Sequence, residues 1–244
     1  MSHHPNVFSP PGTPLLERTV GELVAERPGR SRIFQSFHID FCCQGARTLR
    51  DACERKGVPS ATVVEQLEAE LADKSAPKNH NPANLPPDRL AEYIFQTHHR
   101  FLWDELPRLH AMSERVARVH GGHTPSLVEM HDVFCHLEEE LTTHMMKEEQ
   151  ILFPAIMDLA QQARGPISLD GPIGCMLEEH NEAGTALERL RALSHGFQSP
   201  PDACNTYRAL FAGLEELETD LHLHIHLENS VLFPQARALA AGRN

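Results

Sequence analysis

The chain reads as almost wholly helical, because no run of alternating apolar and polar residues is bounded by turn signals as a strand would be. The pattern predicts short helices over residues 19–26, 31–38, 46–56 and 61–73. Pro28-Gly29 stops the first, Gly57 ends the third, and Ser60 caps the fourth. Residues 75–87 are dominated by proline and asparagine, through which helix cannot persist. They are read as a linker between a small helical N-terminal module, residues 1–74, and a main domain, residues 88–244. In the main domain the pattern lengthens to helices over residues 88–119, 126–163, 172–194 and 201–241. Gly121-Gly122, a Gly/Pro loop over residues 165–172 and Ser199-Pro200-Pro201 separate them. Four long helices joined this way predict an all-α, up-down four-helix bundle. Pro107, Pro154 and Pro234 fall inside those helices or near their ends, where kinks or early stops are expected.

Laying the second long helix over the fourth exposes a repeat. His144-Met-Met-Lys-Glu148-Glu-Gln-Ile-Leu-Phe-Pro154 and His224-Ile-His-Leu-Glu228-Asn-Ser-Val-Leu-Phe-Pro234 both read H-x-x-x-E-x-x-[I/V]-L-F-P. Residues at i and i+4 share one helix face, so each His/Glu pair can reach a metal at the bundle axis, with the apolar tail packing the core below. Upstream, His144 follows His99 by 45 positions and His224 follows His180 by 44, which makes His99 and His180 pseudo-symmetric partners. The candidate ligands are therefore His99, His144, Glu148, His180, His224 and Glu228. An isolated i,i+4 His/Glu pair is ordinarily a surface ion pair. Two pairs in a repeated motif, each with a matched upstream histidine, shift the reading to metal. Imidazole with carboxylate suits iron, manganese or zinc, and two bridging carboxylates in a bundle favour a dinuclear iron or manganese centre.

Composition narrows the picture further. The 244 residues include 17 histidines and 34 acidic residues, with a formal net charge of -12. That charge argues against nucleic acid and against anionic membrane surfaces. No run approaches the ~20 apolar residues of a transmembrane helix. The N-terminal residues lack the basic region and apolar core of a secretory signal. Six cysteines in a chain this long do not suggest a disulfide scaffold, and a cytoplasmic location with reduced thiols is expected.

The chain resembles the repair-of-iron-centres family of hemerythrin-like di-iron proteins. The residues that carry this are Asp40-Phe-Cys-Cys-Gln-Gly45, Thr97-His-His-Arg-Phe-Leu-Trp-Asp-Glu-Leu-Pro107, the motif at residues 144–154, Glu179-His180 and His224-Ile-His-Leu-Glu228. The resemblance spans nearly the full chain. It implies a hemerythrin-like bundle holding two iron ions, carboxylate- and oxo-bridged. In that family His99, His144, His180 and His224 would be terminal ligands and Glu148 and Glu228 the bridges. His99 is preferred to its neighbour His98, since only one of two adjacent side chains is expected to face the core. Oxygen-carrying hemerythrins place a second histidine one turn along the third helix. Gly184 stands at that position here, so oxygen carriage is less expected than reactive or iron-donating behaviour.

Cys42 and Cys43 precede the helix predicted from Ala46, with Arg47 nearby. A thiol at a helix N-terminus is biased toward thiolate, which makes the pair a candidate for redox or relay work; small buried residues are the alternative. Glu140, four residues before His144, and Glu179 are candidates to hydrogen-bond a ligand's outer nitrogen, with solvated helix faces as the alternative. Met145, Met146 and Met176 read as core filler and the other four cysteines as structural. His222, His226, His131, His136, His120 and His123 read as surface or network residues, and His3-His4 as an unstructured start.

Functionally, the resemblance implies repair of iron–sulfur clusters damaged by nitrosative or oxidative stress, by donation of iron to the damaged proteins. A nitric oxide reductase or peroxidase-type enzyme and a nitric oxide- or oxygen-binding sensor are the alternatives. Whether the protein turns over a substrate, and whether it forms a homodimer, the sequence leaves open.

Overall fold

The computed structural model describes residues 9–10, 12–72, 81–162 and 168–242. The His3-His4 start, residues 75–80 of the linker and residues 165–167 of the Gly/Pro loop lie outside the described residues. Within them the chain is helical and forms no strand; one isolated antiparallel bridge joins Thr19 to Thr48. The all-α expectation is met.

The N-terminal helices are α1 (Val20–Glu26), α2 (Arg30–Ser36), α3 (Leu49–Lys56) and α4 (Ser60–Ala72). Thr19 and Thr48 cap α1 and α3, each accepting the backbone N–H three residues on, which satisfies one orphan donor of the first turn. Gly57, at φ 66°, closes α3 in the left-handed conformation. Helix α3 thus begins at Leu49, three residues later than the apolar pattern suggests, because Thr48 offers the better cap.

The long helices are each interrupted once or not at all. Helix α5 (Pro87–Ile94) passes through a π turn, Phe95–His99, into α6 (Arg100–His120). Helix α7 (Ser126–Lys147) passes through a second π turn, Glu148–Leu152, into α8 (Phe153–Ala160). Helix α9 (Asp170–Leu193) is continuous, and α10 (Asn205–Leu227) passes through a third π turn, Glu228–Leu232, into α11 (Phe233–Ala240). Pro154 and Pro234 sit at the second position of the helix that restarts, where the missing N–H costs least. Pro107, by contrast, lies within α6, which does not stop there.

The chain divides into two compact units. The first comprises Met1–Glu92, Ala155–Gly171 and Leu223–Asn244. Its core gathers Leu23 and Val24 of α1, Phe34 of α2, Phe41, Leu49 of α3 and Leu67 of α4 with Ile156, Val231, Leu232 and Phe233. Helix α1 packs on the third π turn, close enough that a Cβ on Gly21 would lie 2.6 Å from Ser230 Oγ and 3.0 Å from the Gly45 carbonyl. Arg30, 1% exposed, donates to the Leu23 carbonyl at 3.0 Å and to Glu26 at 2.6 Å, so its buried charge is paired.

The second unit comprises Tyr93–Pro154 and Pro172–His222. Leu102, Leu106, Leu109 and Val116 of α6 bury one face, as do Leu127, Phe134, Leu137 and Leu141 of α7, at the three- and four-residue spacing of a core stripe. Ile173, Met176, Ala183, Leu187 and Leu190 of α9 and Leu210, Leu214, Leu217 and Leu221 of α10 do the same. Polar links run between neighbouring elements. His110 of α6 meets Glu138 of α7 at 2.5 Å, and Arg191 of α9 donates to Glu218 of α10 at 2.8 Å. His98 of the first π turn meets Asp220 of α10 at 2.8 Å.

Candidate metal centre

In the second unit the site is built around Glu148, which opens the second π turn and is fully buried. His144, one helical turn earlier, brings Nε2 to 3.4 Å from Glu148 Oε2. His99, the last residue of the first π turn, brings Nε2 to 3.3 Å from the same oxygen. His180 of α9 sets its Nε2 3.1 Å from that of His144. All three imidazoles are buried, and the Phe153 ring stacks on His99 with centroids 5.3 Å apart.

The outer nitrogens decide how these rings are used. His144 Nδ1 lies 2.8 Å from Glu179 Oε2, and His99 Nδ1 lies 2.9 Å from Glu149 Oε1. A carboxylate accepting the Nδ1 proton leaves the lone pair on Nε2, the atom each ring turns toward Glu148. A buried carboxylate facing inward-turned imidazole lone pairs is a donor set that a multivalent cation satisfies. Burial raises the Glu179 carboxyl, but hydrogen bonds from Lys147, His144 and Cys175 outweigh it and hold it down at about 2. Glu149 in turn accepts from Trp103 Nε1 at 2.9 Å.

In the first unit the second copy of the motif repeats this geometry. His224 Nε2 lies 3.1 Å from Glu228 Oε1, and both residues are buried. Glu228 opens the third π turn as Glu148 opens the second.

Comparison with known proteins identifies the family. Residues 90–236 match the hemerythrin HHE cation binding domain, and residues 16–71 match a domain of unknown function, DUF542. The chain belongs to the hemerythrin HHE cation-binding family. Its fold is accordingly an all-α hemerythrin-like bundle. It is similar to the iron-sulfur cluster repair protein YtfE of Musicola paradisiaca, 40% identical over 223 residues that cover 90% of this chain and 96% of that protein. It is also similar to the proteins of that name from Edwardsiella ictaluri, 39% identical over 90% of this chain and 96% of the relative, and Shigella boydii, 38% identical over 91% and 97%.

Several residues of this family member stand differently from the sequence-based expectation. His98 is buried as well as His99, although only one was expected inward; it pairs with Asp220 and sets its ring edge-on to Tyr93, centroids 6.0 Å apart. The π turn is the reason, because its extra residue widens the arc over which side chains face inward. Glu140 is exposed on α7, and the outer nitrogen of His144 belongs to Glu179. The equivalent of Glu140 in the second repeat is Asp220, four residues before His224, and that position carries the bond to His98. His226 is buried rather than on the surface; its ring meets Phe41 edge-on at 5.7 Å, and burial lowers its pKa to about 4, leaving it neutral. Ile151 is 62% exposed, whereas its counterpart Val231, in the π turn against which α1 packs, is buried. Met145 and Met176 are core residues, whereas Met146, Cys175 and Cys204 are exposed.

The thiolate expectation for Cys42 does not hold. The next helix starts at Leu49 rather than near Ala46, so the cysteines do not immediately precede its N-terminus. The neighbouring Cys43 thiol, burial and the Asp40 carboxylate all push the Cys42 thiol well above its usual range.

Proposed function

We propose that His99, His144, Glu148, His180, His224 and Glu228 together hold two iron ions, and that the protein donates iron to iron–sulfur clusters damaged by nitrosative or oxidative stress. The observation that carries the metal reading is that His144 and His99 turn Nε2 inward while an outward carboxylate, Glu179 on His144 and Glu149 on His99, holds Nδ1. The two-fold repeat supports extending the set to His224 and Glu228, whose pair has the same spacing, burial and place at the head of a π turn. The printed names of the relatives, iron-sulfur cluster repair proteins, support the destination of the iron. When bound, the ions supply one-electron redox chemistry and a store of transferable metal. The chain's part is to hold them. Glu148 meets imidazoles from both its own helix and the first π turn, and Glu179 and Glu149 keep those imidazoles in the ligating tautomer. On this reading residues 1–74 are a helical module that accompanies the bundle of residues 88–244, joined by residues 75–87. No helix among the described residues is long and apolar enough to cross a membrane.

The test is recovery of a cluster enzyme inactivated by nitric oxide, with metal content and Mössbauer spectra of the isolated protein. Two irons per chain, lost with recovery in Glu148→Ala and Glu228→Ala, is the expected result. Recovery by a metal-free variant would refute the reading. Multiple-turnover production of nitrous oxide would replace it with a reductase.

A further inference from the structure

We propose that Asp40, Cys42 and Cys43 form a second cation site in the first unit, for a thiophilic divalent ion such as ferrous iron or zinc. The sulfurs of Cys42 and Cys43 lie 3.7 Å apart. That is far beyond the ~2.05 Å of a disulfide. It is close to the edge of a tetrahedron with metal–sulfur bonds of ~2.3 Å, which works out at about 3.8 Å. One ligand atom from each of Asp40, Cys42 and Cys43 falls within 4.8 Å of the others.

The backbone explains how adjacent cysteines come to point the same way. Alternate directions are usual for neighbours in extended chain, but Asp40 Oδ1 accepts the N–H of Cys42 at 3.0 Å and of Cys43 at 2.9 Å, folding the chain into a tight Asx turn. The Cys42 thiol donates to the same oxygen at 3.2 Å. From below, Asn229 Nδ2 donates to the Cys42 carbonyl at 3.1 Å, and the Phe41 ring is held against His226. The ligand atoms are thus gathered by hydrogen bonds between the Asp40 side chain and the main chain of the cysteines. Cys42 is 3% exposed while Asp40 and Cys43 are half-buried, so the cluster has a polar, solvent-accessible side. A divalent cation would bind two thiolates and a carboxylate that the turn already holds side by side. Binding breaks both S–H bonds, forms two metal–sulfur bonds and releases two protons to solvent.

The place of this site in the chain gives it a use, and here the inference rests on the iron-donation reading. Asn229, which holds the Cys42 carbonyl, directly follows Glu228. A soft-ligand site tied to the turn that presents Glu228 would serve as a staging point for iron entering or leaving.

The test titrates the full-length protein, its bundle already loaded with iron, with cobalt(II), whose thiolate charge-transfer absorption reports sulfur ligation. One equivalent of thiolate-bound cobalt is expected. It should vanish in Cys42→Ser/Cys43→Ser and persist in Cys135→Ser/Cys175→Ser/Cys204→Ser. Asp40→Asn keeps the turn's acceptor but not its charge, and should weaken binding by roughly 10- to 100-fold. Helical circular dichroism and unchanged bundle iron establish that the variants are folded. Absence of the absorption in the wild type, or its survival in the Cys42/Cys43 double variant, would overturn the site. Bundle iron is counted separately, so an empty bundle beside a cobalt-binding cysteine pair would sink the iron-donation reading and leave this site standing.

Discussion

Replacing Glu149 by glutamine isolates the outward half of the candidate centre. Glu149 accepts from His99 Nδ1 at 2.9 Å and from Trp103 Nε1 at 2.9 Å, while His99 Nε2 faces Glu148 at 3.3 Å. Glutamine keeps a carbonyl acceptor of the same reach but removes the negative charge that makes the imidazole a stronger base. Second-layer partners of this kind are worth about 10- to 100-fold in metal affinity. At 1.4 kcal/mol per tenfold, that is about 1.4–2.8 kcal/mol. Glu149→Ala, which removes the acceptor altogether, should fall at the upper end. Glu149 is not in the core, its side chain being 23% exposed, so folding stability without metal should change little. That separates a loss of affinity from a loss of structure. The assay is competition with a chelator, followed by the fluorescence of Trp103, the sole tryptophan, whose indole N–H is bonded to the residue being changed. Glu179→Gln should act likewise through His144, and because both imidazoles face the same oxygen of Glu148 the double variant should depart from additivity. Metal affinity within twofold of wild type in Glu149→Ala would refute the claim that this carboxylate orients a ligand.

Other consequences concern the scaffold. Gly21→Ala would place a Cβ 2.6 Å from Ser230 Oγ and 3.0 Å from the Gly45 backbone, and should destabilise by about 1–3 kcal/mol although alanine is the better helix former; urea midpoints check it. Phe134→Ala, at a fully buried position on α7, should cost about 3–5 kcal/mol in the same measurement. Burial alone would raise the Glu26 carboxyl, but its bonds to Arg30 and Arg18 lower it below the usual range. A depressed folded-state value gives stability that is present above the unfolded pKa and lost as pH falls through the folded one. The acid branch of the stability curve should therefore be shallower in Glu26→Gln than in the wild type, and identical slopes below the ordinary carboxylate range would count against the pairing.

Much of this was legible because the relevant physics is local. Helix periodicity, the N-cap threonines and the stop at Gly57 depend on neighbours in sequence, and the predicted long helices fall within a few residues of α9 and of the outer ends of α6, α7 and α10. The repeated His/Glu pairs were readable for the same reason, since i,i+4 spacing alone puts them on one face. What escaped notice depends on residues far apart in the chain. Nothing near Glu149 announces His99, 50 positions away, and nothing near Asp220 announces His98 at 122. A clue did exist. Position four before the motif histidine was singled out at Glu140, and applying the repeat consistently would have pointed to Asp220 as well.

The three π turns went unread although the repeat encodes two of them. In each copy proline stands six residues after the glutamate, and Phe153 and Phe233 donate their N–H five residues back, to the carbonyls of Glu148 and Glu228. An α-ladder through Pro154 would need an N–H that proline lacks, so the register is cheapest to change just ahead of it. One inserted residue turns everything downstream by about 100° relative to an uninterrupted helix. The His/Glu pair stays in α register, within 3.1–3.4 Å, while the Leu-Phe that follows still reaches the core: Leu152, Phe153, Leu232 and Phe233 are all buried. At the first π turn, which no proline follows closely, the same insertion lets both His98 and His99 face inward. The string H-x-x-x-E-x-x-[I/V]-L-F-P therefore specifies a buried His/Glu pair and, through its proline, the change of helical register that seats the pair above its own apolar floor.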